Sequence, residues 1–185
     1  MNYKYLLLFK NLKRKFLNIA IWGLVISLLL IAGCREQNEL ISYDVDSYLS
    51  CNTNFEKKAS VVLPSKKDIE DSKIVYYALY DDSGASFQEG MLRLTVEYSN
   101  EKFLNASNRL EELFETKNIG MGESFYYDGT LYNSFQYQAF DSDVGYCALA
   151  YHISSNSNTI SYIVISCENL TYMSVEDAIS YFPQI

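Results

Sequence analysis

KIVYYALY at residues 73–80 and MLRLTVEY at residues 91–98 carry the architecture of this chain. The first is apolar on both faces and rich in β-formers, which predicts a central strand. The second alternates, with Leu92, Leu94, Val96 and Tyr98 facing one way and Arg93, Thr95 and Glu97 the other. That is the period of a half-buried strand. Asp81-Asp82-Ser83-Gly84 between them is turn chemistry, so the two strands are expected to pair across an irregular loop. From Asn100 the period changes. Phe103, Ala106, Leu110, Leu113 and Phe114 fall at i, i+3, i+7, i+10 and i+11, one apolar stripe of a helix that should lie on the sheet. Lys102, Asn105, Asn108, Arg109, Glu111 and Glu112 fill the other face, and Lys117-Asn118-Ile119-Gly120 ends the helix.

The second half reads as a meander. Ser124–Tyr127 meets Asp128-Gly129, a two-residue hairpin signal of the type I′ kind. Thr130–Phe140 follows, with Leu131, Phe135, Tyr137 and Ala139 on one side. Tyr146–Ile153 and Ile160–Cys167 form a further hairpin around Ser154–Thr159. Ser174 suits a helix N-cap, with Glu176 and Asp177 in the first turn and Pro183 beyond the end. Before the first long strand the signals are weaker. Ile41, Tyr43 and Val45 alternate as a strand, and residues 52–58, NTNFEKK, read as loop. Val61-Val62-Leu63 reads as a short strand stopped by Pro64, and Ser65–Asp68 as the cap of a one-turn helix through residue 71. The sum is an α+β domain over residues 40–185. It has an antiparallel sheet of about five or six strands, with one long and one or two short helices packed on one face.

The 185 residues carry 15 basic and 23 acidic groups. Five of the basic groups (Lys4, Lys10, Lys13, Arg14, Lys15) and no acid lie in residues 1–34, which leaves 10 against 23 in the remainder, a net of -13. Such an acid excess argues against nucleic-acid binding, where affinity comes from cations that displace counterions. The basic stretch runs into FLNIAIWGLVISLLLIAG, residues 16–33, which holds no charge. A positive region, an apolar run and then small residues form an export signal. The run is also about long enough to span a bilayer, for which ~20 apolar residues are needed.

The run ends in Ile31-Ala32-Gly33-Cys34. This resembles the lipobox of bacterial lipoproteins, a resemblance confined to residues 1–34. It implies that residues 1–33 are a signal peptide cut between Gly33 and Cys34. It implies too that the Cys34 thiol receives a diacylglycerol, and that residues 34–39 are a lipidated cysteine and short tether. The expected location is the cell membrane, lipid-anchored on the extracytoplasmic face. Two acyl chains suffice for this, since each buried methylene contributes about 0.8 kcal/mol and one chain alone binds only marginally.

Cys51, Cys147 and Cys167 remain. A last hairpin centred on residue 157 would set Tyr151 opposite Ile163, Leu149 opposite Ile165 and Cys147 opposite Cys167. Export favours oxidation there, so a Cys147–Cys167 disulfide is one reading and two buried thiols the other. Three scattered cysteines and one histidine lack metal-ligand spacing, and no cofactor is expected. His152 sits on a strand and reads as a structural residue. Ser99 and Lys102 match S-x-x-K without its partner motifs. Asp141-x-Asp143-x-Gly145 resembles only a fragment of a calcium loop.

Residues 35–185 hold 15 Tyr and 8 Phe. Tyr serves equally as a strand former and as a contact residue for a peptide, glycan or protein partner. With no catalytic constellation in view, the expected function is a membrane-anchored, non-catalytic binding or interaction module with an unknown protein, peptide or glycan partner. Two alternatives stand beside it. One is an envelope hydrolase using carboxylates or tyrosines, for instance Asp141 with Glu168. The other is an inhibitor or immunity-type lipoprotein with an acidic face.

Overall fold

The computed structural model describes residues 39–185 except 51–52, 83–88, 121, 140–146, 168–169, 171 and 184. Cys34, the signal and most of the tether lie outside these residues, as do Cys51, Asp141, Asp143, Gly145 and Glu168. Gln37–Ile185 form one compact unit.

The unit is α+β. Its strands are β1 (Glu39–Ser42), β2 (Lys73–Asp82), β3 (Glu89–Glu97), β4 (Glu123–Tyr127), β5 (Thr130–Tyr137), β6 (Cys147–Ser154) and β7 (Thr159–Ser166). Its helices are α1 (Asn54–Ala59), the long α2 (Asn100–Lys117) and α3 (Val175–Ser180). The strands form one open sheet in the order β1-β2-β3-β7-β6-β5-β4, and every pair is antiparallel. The topology follows from one crossing. After β3 the chain runs through α2 to the far edge at β4, then folds back strand by strand until β7 pairs with β3. Strand β3 keeps the expected faces, with Leu92, Leu94, Val96 and Tyr98 in one core.

The sheet has seven strands, more than the five or six expected. The strand expected around Ile41 is present as the edge Glu39–Ser42, paired with β2, but it stops short of Tyr43 and Val45, where the chain turns at Asp44 into a short 3-10 turn. KIVYYALY lies second from that edge, and a bulge between Ile74 and Tyr76 turns Val75 out to solvent. The central strand is β7, with β3 and β6 on either side.

The helices do not share one face, which corrects the expected layering. On one side α1, the segment 61–69 and α2 pack on Leu92, Leu94, Val96, Phe135, Leu149 and Val164. On the other, Val175, Ala178 and Ile179 of α3 join Phe182, Ile185 and Leu170 against Met91, Ile163 and Ile165. Three sheet positions under this second layer are alanines, Ala78, Ala148 and Ala150. Short side chains leave room for a helix close to the backbone, so both faces are covered.

Local chemistry explains the other departures. Thr53-Asn54-Phe55-Glu56 is a capping box, not loop: the Thr53 hydroxyl accepts from the Glu56 amide at 3.1 Å and Glu56 reaches back to the Thr53 amide at 3.2 Å. Val62 and Leu63 are buried in the turn after α1 and make no strand. Ser65 and Asp68 do cap one another, over turns that never become a helix. Asp128 and Gly129 both take positive φ, 50° and 74°, as a type I′ hairpin requires. Ser174 caps α3 through the Asp177 amide.

The β6–β7 hairpin is centred half a residue earlier than expected. Ser154 pairs with Thr159, and Cys147 lies opposite Ser166, not Cys167. Asn158, at φ 50°, closes a four-residue loop. The slip carries the two cysteines to opposite faces, Cys147 into the α2 core and Cys167 against the α3 core, and they are not bridged to each other. Burial of one face is what specifies register. Strand β7 is apolar on both, with Ile160, Tyr162 and Val164 on one side and Ile163 and Ile165 on the other, so its loop decides.

Candidate functional site

A cavity of about 320 Å³ opens between α2, the segment 62–68 and the sheet. Its wall is one flank of the long helix. Lys102, Asn105, Ala106, Arg109, Leu110 and Leu113 stand at i, i+3, i+4, i+7, i+8 and i+11, a single helical face. The sequence reading placed Lys102, Asn105 and Arg109 on the solvated face. They flank the apolar stripe instead, where long cationic side chains lie along apolar surface and keep their heads in water.

The opposite wall is Val62, Pro64, Lys67 and Asp68. Arg109 ties the two walls together. Its guanidinium donates to the Leu63 carbonyl at 3.1 Å and to the Asp68 carboxylate at 3.2 Å. Burial alone would raise the Asp68 carboxyl, but the Ser65 hydrogen bonds and the Arg109 charge outweigh it and hold the group below the usual carboxylate range. The segment is also fastened from below, where the buried Tyr48 hydroxyl donates to the Pro64 carbonyl at 2.7 Å.

Two tyrosines complete the lining. The hydroxyls of Tyr98 and Tyr162 are 2.9 Å apart and share a hydrogen bond. Burial pushes Tyr98 up to about 12, despite the opposing pull of that hydrogen bond and of Arg109. Burial and the Tyr98 hydroxyl together raise Tyr162 further still. Both are therefore neutral hydroxyls at physiological pH.

Charge distinguishes the cavity from the rest of the domain. Of the ten cations after residue 34, three line it, against the single carboxylate of Asp68, which is paired with Arg109. Lys67 is exposed and Lys102 half-buried, while Val62, Pro64, Leu110 and Leu113 are buried. The charges thus stand at the rim and the apolar groups deeper. Such a space can hold a small molecule that has a polar end and an apolar body.

Of the other described residues singled out from sequence, His152 and Ser99 do not line it, whereas Lys102 does. His152 lies on the α3 side, with Nδ1 2.9 Å from the Leu131 carbonyl and its ring beside Tyr132. Ser99 is the N-cap of α2 without a side-chain capping bond. Among the described residues no group of three His, Cys, Asp or Glu could hold a metal ion. No helix among them is long and apolar enough to cross a membrane. Lys67, Arg109, Tyr98 and Tyr162 carried no motif, and Asp68 only that of a cap with Ser65. The available signal was Lys102, Asn105 and Arg109 along one edge of the apolar stripe, opposite a Pro64-Ser65 break. No protein-family model matches the chain, and no curated protein does.

Proposed function

We propose that this chain is a lipid-anchored, extracytoplasmic binding module that acts without catalysis and holds its ligand between α2 and the segment 62–68. The observation that carries the binding role is the cavity of about 320 Å³, apolar within and ringed by three of the domain's ten cations. Its walls are already held in place by the Arg109 and Tyr48 hydrogen bonds, so little ordering is left for a ligand to impose. The anchor rests on Ile31-Ala32-Gly33-Cys34 at the end of an uncharged run, only four residues before β1 begins at Glu39.

The anchor is tested by intact mass and labelled-palmitate incorporation in producing cells. Wild-type protein should begin at a diacylated Cys34, and Cys34→Ala should take up no label. A mature chain that begins at Met1, or an unmodified Cys34, overturns the anchor. Turnover of a substrate by the full chain, abolished by Lys102→Ala, overturns the non-catalytic role.

A further inference from the structure

The chemistry of the rim and the lining specifies the ligand more narrowly. We infer that the cavity takes a small monoanionic amphiphile, a carboxylate on a short apolar body. This deepens the binding role above and rests on it. Size comes first. A volume of about 320 Å³ lies at the lower end of the roughly 300–1,000 Å³ of small-molecule pockets. That suits a short acyl or aryl carboxylate and is too small to enclose a folded partner.

Charge sign comes next. Among the described residues neither Lys67 nor Lys102 at the rim forms a salt bridge, whereas the Asp68 carboxylate is held by Arg109 and Ser65. A cationic ligand would meet three positive groups. An anionic head can lie between the two ammonium groups, in charge-assisted contact. The interior excludes a fully polar anion. Val62, Ala106, Leu110 and Leu113 offer hydrocarbon, and the hydrogen bond between the Tyr98 and Tyr162 hydroxyls uses one of their two protons, which leaves a single donor from the pair. A group such as inorganic phosphate would lose hydration there without recovering it.

The experiment is calorimetric titration of the full chain in lipid nanodiscs, with empty discs subtracted. The probes are octanoate, 3-phenylpropionate, octanol and octylammonium. Octanoate or 3-phenylpropionate should bind at least about tenfold tighter than octanol, as expected for two partly exposed charge contacts, and octylammonium should not bind. The two carboxylates separate a linear from an aromatic body. The double variant Lys67→Glu, Lys102→Glu alters groups outside the core and should reverse the order of octanoate and octylammonium. Ala106→Trp, which fills the cavity, should abolish binding, with its far-ultraviolet circular dichroism checked against wild type. Equal or tighter binding of octanol or octylammonium overturns the anionic ligand and leaves the binding role intact. Failure of all four probes to bind overturns the ligand class, and it overturns the binding role as well if Ala106→Trp also leaves the capture of envelope components by the full chain unchanged.

Discussion

Raising the pH should unfold this protein within a narrow window, because its core is built on tyrosines that cannot ionise where they stand. Tyr48, Tyr77, Tyr98, Tyr137 and Tyr162 are all buried. Burial is the main reason each resists losing its proton, with Tyr77 and Tyr98 pushed up to about 12 and the other three raised as well. Neighbouring hydroxyls reinforce this for Tyr48 and Tyr162. In the unfolded chain each titrates near 10. Folded-state values raised in this way mean stability that is complete below pH 10 and lost as pH climbs from 10 toward 12 and beyond. One proton released only on unfolding is worth about 1.4 kcal/mol per pH unit. Five of them remove about 7 kcal/mol by pH 11, against a total stability of about 5–15 kcal/mol for a domain of this kind. Tyrosinate absorbance at 295 nm and far-ultraviolet circular dichroism, followed together from pH 8 to 12.5, should therefore show two phases. The first phase leaves the sheet signal intact. A steep second phase between about pH 10.5 and 11.5 then coincides with loss of the sheet signal. Tyr162→Phe removes one of the five protons and should lower the steepness of that phase by about one proton. A smooth titration of every tyrosine near pH 10 with the fold intact would refute the reasoning.

Other consequences follow from single contacts. A Cβ on Gly90 would meet the Phe55 ring at 2.5–2.8 Å, so Gly90→Ala should lower stability by about 1–3 kcal/mol in urea unfolding, and adding Phe55→Leu should recover part of it. The Asp81 carboxyl is raised, by burial first and then by the Glu56 charge, and its Oδ2 has no hydrogen-bond partner. A raised value makes its charged form a burden at neutral pH that vanishes once the group is protonated. Asp81→Asn should accordingly raise the melting temperature at pH 7 and leave it unchanged near pH 3. Arg109→Ala leaves the Leu63 carbonyl without its donor and should cost about 1–2 kcal/mol, with faster amide exchange in residues 63–69 than elsewhere. Non-reducing peptide maps should recover Cys147 and Cys167 on peptides not linked to each other, in keeping with their opposite faces.

Where one residue's local chemistry is enough, the chain could be read directly. Asp128-Gly129 demands a I′ turn because both residues must take positive φ. Leu92, Leu94 and Val96 alternate because their strand has a helix on that side and Arg93 and Thr95 on the other. The stripe from Phe103 to Leu113 must be covered, and here the core that includes the sheet covers it. The capping box of α1 was legible too. Periodicity does not reveal the helix behind it, because Phe55 and Ala59 alone are too few apolar residues to mark one.

Periodicity and turn residues alone thus prescribe an antiparallel sheet, its hairpins and the long helix, because those depend on neighbours a few positions apart. Three matters are properties of the packed chain. The register of β6 on β7 is undetermined by a strand that is apolar on both faces. The side on which α3 lies depends on Ala78, Ala148 and Ala150, which come to one face only when β2 and β6, distant in sequence, join the same sheet. The cavity needs Lys67, Arg109 and Tyr162 side by side, residues up to 95 positions apart that no local pattern connects. Long-range contacts are chosen by the total free energy of the compact chain, and a short window of sequence holds only part of that sum.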